Sequence, residues 1–132
     1  MKKFQTEIRV RYQETDSMGV VYYGNYLVWF EVARTEYLRA HKVSYRQMEE
    51  EGMYLVVASA SCQYKYPARY DDIVRIQCWI SEVKNSSLKF GYNLFIEDKI
   101  IASGESVHVF TNKAWKPMRI PEDLVGSFTS LK

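Results

Sequence analysis

The sequence has only two cysteines, Cys62 and Cys78, and they form neither a CxxC pair nor a zinc-ligand spacing. They read as free, buried thiols, and the protein as one of the reducing cytoplasm. Nowhere do 18 apolar residues run together, which excludes a membrane-spanning helix. Met1 to Glu7 carries charge with no apolar stretch behind it, so it does not read as a signal peptide. Neither sign of charge is in excess. Eighteen basic and 16 acidic residues leave +2, too balanced to argue for nucleic acid as the partner. The six glycines form no phosphate-cradling loop; Gly52, Gly91 and Gly104 are scattered. There are two histidines, His41 and His108, each far from any other ligand set. Neither a metal spacing nor a Ser-His-Asp order stands out. No metal and no cofactor is expected.

What is present is an ordinary globular balance, 47% hydrophobic and 26% charged, over 132 residues. That is one domain, residues 1–132, large enough to bury a core without disulfide or metal. Eleven tyrosines are the unusual feature. A ring with a polar tip suits interfaces and partly apolar clefts.

Ile8, Val10 and Tyr12 alternate with Arg9 and Arg11, the pattern of a half-buried strand. Gln13 to Gly24 reads as a loop around a short turn, with Asn25 able to cap the helix that follows. From Tyr26 to Ala33 only Glu31 is charged, so this helix is expected to be buried nearly all round. A short helix over Ser44 to Glu51 is stopped by Gly52. Four strands follow. Tyr54, Val56, Ala58, Ala60, Cys62, Tyr64 and Tyr66 share a face of the first, which Pro67 ends. Val74 to Ile80, Leu88 to Ile96 and Ile100 to Phe110 make the others, and a short helix closes the chain near Glu122 to Phe128. The expected fold is α+β: a curved antiparallel five-stranded sheet around one long central helix. A single such layer leaves edges to cover, which points to pairing between subunits.

Tyr12-Gln13-Glu14-Thr15-Asp16-Ser17-Met18-Gly19-Val20-Val21-Tyr22-Tyr23-Gly24-Asn25-Tyr26 resembles the signature loop of the 4-hydroxybenzoyl-CoA thioesterase family of hotdog enzymes. It is most similar to the bacterial acyl-CoA thioesterases associated with the Tol–Pal cell-envelope system. The resemblance continues through Glu31 to Arg39, Tyr66-Pro67-Ala68-Arg69-Tyr70-Asp71-Asp72, Ser86-Ser87-Leu88 and Lys116 to Pro121. It implies the hotdog fold, an acyl-CoA substrate and a homo-oligomer, a tetramer built as a dimer of dimers. It implies that Asp16 acts at the thioester, as nucleophile or as general base, and that a backbone N–H at the start of the central helix, at Tyr23 with Gly24 as neighbour, polarises the carbonyl. Many members of the Tol–Pal branch carry His where this chain has Tyr23. An imidazole-assisted step is therefore not expected, while a backbone donor survives the change.

The residues themselves permit this chemistry. Helix N-terminal amides lack intrahelical partners, and a turn at Gly19 could fold Asp16 back beside them. An Asp before a Gly is also an ordinary turn former. Glu31 is either a second acid or half of a structural ion pair with Arg34 or Arg11. Asn25 is a helix cap or a contact to substrate or water. Among the cations that could meet the phosphates of CoA, Arg69 stands in the matched turn, and Ser87 falls in a region near CoA in related enzymes. Two other readings of the fold stay open: a hydratase or dehydratase of acyl thioesters, and a non-catalytic acyl-thioester-binding protein.

Overall fold

The computed structural model describes residues 3–131, without the side chain of Leu131. Strand β1 (Phe4–Arg9) leads into a single 3-10 turn at Tyr12–Glu14 and a loop, then helix α1 (Asn25–Ala40) and helix α2 (Tyr45–Glu50). Strands β2 (Tyr54–Tyr64), β3 (Ile73–Val83), β4 (Ser87–Ile96) and β5 (Lys99–Thr111) follow, then helix α3 (Glu122–Leu131). The strands form one sheet in the order β1-β3-β4-β5-β2 with every neighbouring pair antiparallel. The two short connections, Asn85-Ser86 region and Glu97-Asp98, make hairpins, as their lengths require.

The core is a single apolar layer between α1 and the concave face of the sheet. Val74, Ile76, Cys78 and Ile80 of β3 are fully buried, as are Phe90, Tyr92 and Leu94 of β4, each set at the strand period of two. Tyr26, Trp29, Phe30, Ala33 and Tyr37 are buried from α1, at the helical spacing of three and four. Phe30 stacks flat on Tyr92 at 4.1 Å. The helix can come this close because β5 offers Gly104 beneath it. A Cβ there would stand 2.7 Å from the Phe30 ring and 2.3 Å from the Ser61 carbonyl oxygen. Phe128 of α3 is buried against Phe110 and closes one end of this layer.

Three expectations need correction. The first strand begins at Phe4 and ends at Arg9, because Tyr12 to Glu14 coil into the 3-10 turn instead of extending. α1 is not buried all round: Leu27 is 39% and Val28 52% exposed, on the side away from the sheet. One sheet covers only one face of a helix. β2 does not keep one face along its length, since its pairing with β5 shifts between Val57 and Ser59. Residues on either side of such an irregularity change parity. β2 is also an edge strand, and Val57 and Tyr64 are about half exposed on it.

Candidate active site

The loop between β1 and α1 is folded by its own backbone. Thr15 and Val21 pair as an antiparallel bridge. Between them Asp16 N–H donates to Val20 O (2.8 Å) and Gly19 N–H to Asp16 O (3.0 Å). Gly19 takes φ +82°, the left-handed conformation that this tight turn needs. The Asp16 carboxylate accepts the Met18 N–H at 2.9 Å through Oδ1, so its turn-forming role is realised. Among the described residues its other oxygen accepts no hydrogen bond, and Asp16 is only half-buried.

Two further contacts fix this loop. Ala68, in the Pro67-Ala68-Arg69 turn, is fully buried and uses both backbone groups: its carbonyl accepts Val21 N–H (2.9 Å) and its N–H donates to Tyr26 Oη (3.1 Å). Burial raises the Tyr26 phenol, an effect the Ala68 N–H partly offsets, so Tyr26 is a neutral acceptor here. On the other side the carboxylate of Glu14, 8% exposed, accepts Arg11 N–H (2.8 Å) and the Trp29 indole N–H (2.9 Å). Glu14 carbonyl oxygen accepts Tyr22 N–H and the Asn25 side-chain amide, both at 2.9 Å. A single residue thus ties the loop to the first two turns of α1. Sequence reasoning passed over Glu14. Its signal was a second carboxylate in the loop that carries Asp16, five residues before Gly19.

The start of α1 carries the donors. Asn25 N–H closes onto Tyr22 O (2.9 Å) and Tyr26 N–H onto Tyr23 O (3.2 Å). The amides of Tyr23 and Gly24 donate to no acceptor among the described residues. They stand at the positive end of a 16-residue helix dipole. Gly24, not Asn25, occupies the cap position, with no side-chain cap. The expectation that Asn25 caps the helix is corrected: it is the first helical residue, and its amide is spent on Glu14.

Asp16 and Tyr23 line one cleft of about 290 Å³ with Met18, Val20, Val21, Tyr26, Tyr64, Lys65, Tyr66 and Pro67. Tyr66 and Pro67 are shared with an adjoining, larger cleft of about 690 Å³, which Arg69 and Lys99 line together with Asp72, Glu97 and Asp98. The structure therefore brings Asp16 and Tyr23 to one cleft, with Gly24 next to Tyr23 at the helix start, and Arg69 to the neighbouring cleft. It does not bring Ser87. That residue opens β4, whose far end, Ile96, lines the larger cleft about 30 Å along the strand. Glu31 is exposed on α1 and its Oε2 accepts the Thr35 hydroxyl (3.2 Å). The ion pairs expected for it do not form: Arg34 turns inward to Tyr92 Oη, and Arg11 lies beside Glu14. Neither histidine lines either cleft. Among the described residues no three metal-ligating side chains converge.

The family model of the thioesterase superfamily matches residues 18–102. The acyl-CoA thioester hydrolase YbgC of Escherichia coli O157:H7 is 34% identical over 127 residues, 95% of this chain and 95% of that protein. The acyl-CoA thioesterase YbgC of Haemophilus influenzae is 33% identical, over 98% of this chain and 96% of its own. The solved structure of a DHNA-CoA thioesterase from Staphylococcus aureus superposes with a TM-score of 0.94 at 31% identity, covering 98% of this chain and 91% of that one. With its sheet folded around α1 and its loop poised at the helix start, the chain belongs to the thioesterase superfamily, and its architecture is the hotdog fold.

Proposed function

We propose that this enzyme hydrolyses acyl-CoA thioesters to the free acid and CoA in the cleft between the Asp16 loop and the start of α1. The observation that supports the reading is that Asp16 and Tyr23 line one apolar-walled opening, while the Tyr23 and Gly24 amides at the helix start are uncommitted. The thioester carbonyl oxygen would take the Tyr23 and Gly24 amides. A preorganised donor of this kind stabilises the developing oxyanion by roughly 3–4 kcal/mol. The free oxygen of Asp16 then either attacks the carbonyl carbon, expelling the thiolate and leaving a mixed anhydride for water to open, or takes a proton from water that attacks in its place. Both routes consume one water and release one carboxylic acid and one thiol. Tyr23 brings a backbone donor and no imidazole, so Asp16 carries the proton and nucleophile chemistry alone. Arg69, which lines the adjoining cleft, is the cation proposed to meet a CoA phosphate. Asn25 acts by fixing the loop, and Glu31 and Ser87, which line neither cleft, would reach substrate only from a neighbouring subunit.

The same reading has the enzyme work as a homo-oligomer in the cytoplasm. It is supported by the half-exposed apolar side chains of Leu27, Val28 and Val57 on α1 and the edge strand β2, and by two free thiols.

Asp16→Asn tests the site with little disturbance, because an Asn oxygen can still accept the Met18 N–H. Thiol release is measured on short, long and aromatic acyl-CoAs. At least about a hundredfold loss of kcat with an unchanged melting temperature is expected. Undiminished turnover in Asp16→Asn removes Asp16 from the chemistry.

A further inference from the structure

We infer that Tyr64 is a positioning residue for thioester hydrolysis, holding the Gly24 amide in line through the Tyr23 carbonyl. This rests on the reading of the helix start as the oxyanion donor.

Tyr64 is the last residue of β2, forty-one positions from the carbonyl it reaches. Its hydroxyl donates to Tyr23 O at 3.1 Å. That carbonyl and the Gly24 N–H belong to one peptide unit. The unit is planar, and in the trans form its C=O and N–H point in opposite directions. Fixing the oxygen therefore fixes the hydrogen, here pointing off the N-terminal end of α1. The same oxygen also accepts Tyr26 N–H at 3.2 Å. Two donors on one carbonyl draw electron density toward oxygen and make the attached N–H a stronger donor. The neighbouring unit is held less firmly, since Tyr22 O accepts Asn25 N–H with no side-chain donor to match.

The ring of Tyr64 is placed independently of its hydroxyl. It meets Tyr26 edge-on at 4.9 Å and Tyr23 edge-on at 6.2 Å. A Phe at this position keeps both ring contacts and loses the hydrogen bond donated to Tyr23 O together with the hydroxyl's contact with the Cys62 thiol. The phenol also stays protonated across the working range: burial, and then the Cys62 thiol beside it, push Tyr64 up to about 12.

The test compares Tyr64→Phe, a 3-fluorotyrosine at position 64, and Asp16→Asn in steady-state thiol release from a turned-over acyl-CoA. Tyr64→Phe is expected to lower kcat about tenfold, the loss for a donor weakened without being removed, with KM within about twofold. The more acidic fluorophenol donates at least as well and is expected to keep kcat at or above the wild-type value. A role only in packing predicts the opposite for Phe, no change in kcat. Tyr64→Phe within twofold of wild type, or a change confined to KM, overturns the inference. Should Tyr64→Phe fail to fold, a fluorotyrosine enzyme with kcat well below wild type overturns it equally. Loss in Asp16→Asn with no effect at Tyr64 discards the positioning role and keeps the site. Full activity in Asp16→Asn discards the site itself.

Discussion

The carboxylate of Glu14 accepts the indole N–H of Trp29 at 2.9 Å, a buried bond between a loop and the inner face of the central helix. Its second oxygen accepts the Arg11 amide at 2.8 Å. Both donors are N–H groups, so both sites must be acceptors. Glu14→Gln puts an NH2 group against one of them and strands a buried donor. The expected cost is about 1–3 kcal/mol in urea unfolding. Because this residue anchors the loop that carries Asp16, kcat is expected to fall about tenfold as well. Trp29→Phe removes one of the two donors. In the double variant the Gln oxygen can serve Arg11 alone, so the double costs less than the two singles summed. Strict additivity would mean that Glu14 and Trp29 do not act as a pair.

Gly104 lets α1 settle on the sheet, and the crowding there comes from both sides. A Cβ would meet the Ser61 carbonyl at 2.3 Å and the Phe30 ring at 2.7 Å, and a backbone oxygen in a paired strand cannot step aside. Gly104→Ala is expected to cost about 2–3 kcal/mol, read as a lower thermal midpoint. Gly126 in α3 is the contrasting case. Nothing lies within 4 Å of its added Cβ, and Ala is the better helix former by about 1 kcal/mol. Gly126→Ala is expected to leave the midpoint unchanged or raise it. Equal effects at the two glycines would remove the steric account of the helix–sheet contact.

The order of elements was readable because the apolar periods were long and clean. Val74 to Ile80 and Leu88 to Leu94 alternate without a break, and the structure buries the same residues. Where an irregularity intervenes, as between Val57 and Ser59, simple alternation misassigns the face, since a one-residue shift leaves no mark in the composition. Asp16, Tyr23 and Gly24 stood out as candidates through the loop they share. Glu14 did not, because its importance lies in what its oxygens accept, and those partners are Arg11 and, across fifteen residues, Trp29. Tyr64 was hidden for a similar reason: it stands on the edge strand, and only the folded sheet brings it to Tyr23. Glu31 misled in the other direction. Its apolar sequence neighbours suggested burial, but among them Trp29, Phe30 and Ala33 face the core, and Glu31 is exposed as Leu27 and Val28 are.

His108 gives the fold a pH dependence whose sign follows from its surroundings. It is 1% exposed, and its Nε2 lies 2.8 Å from Ser106 Oγ, which in turn lies 2.6 Å from Tyr92 Oη. Tyr92 also meets Arg34, whose guanidinium is turned into this interior alongside Tyr45. Burial first, and the Arg34 charge second, push the His108 imidazole down to about 4. An unfolded-state histidine titrates near 6.5, so on acidification the unfolded chain takes up a proton that the folded chain refuses. Stability is therefore undiminished above about pH 6.5 and falls as the pH drops from there toward 4. The slope is about 1.4 kcal/mol per pH unit, or about 2 kcal/mol between pH 6.5 and 5. Carboxylates contribute mainly below that window. His108→Gln removes the titrating group and is expected to flatten this part of the curve in urea unfolding at half-unit pH intervals. A variant that keeps the wild-type slope between pH 5 and 6.5 would show that His108 is not the group that the folded interior holds neutral.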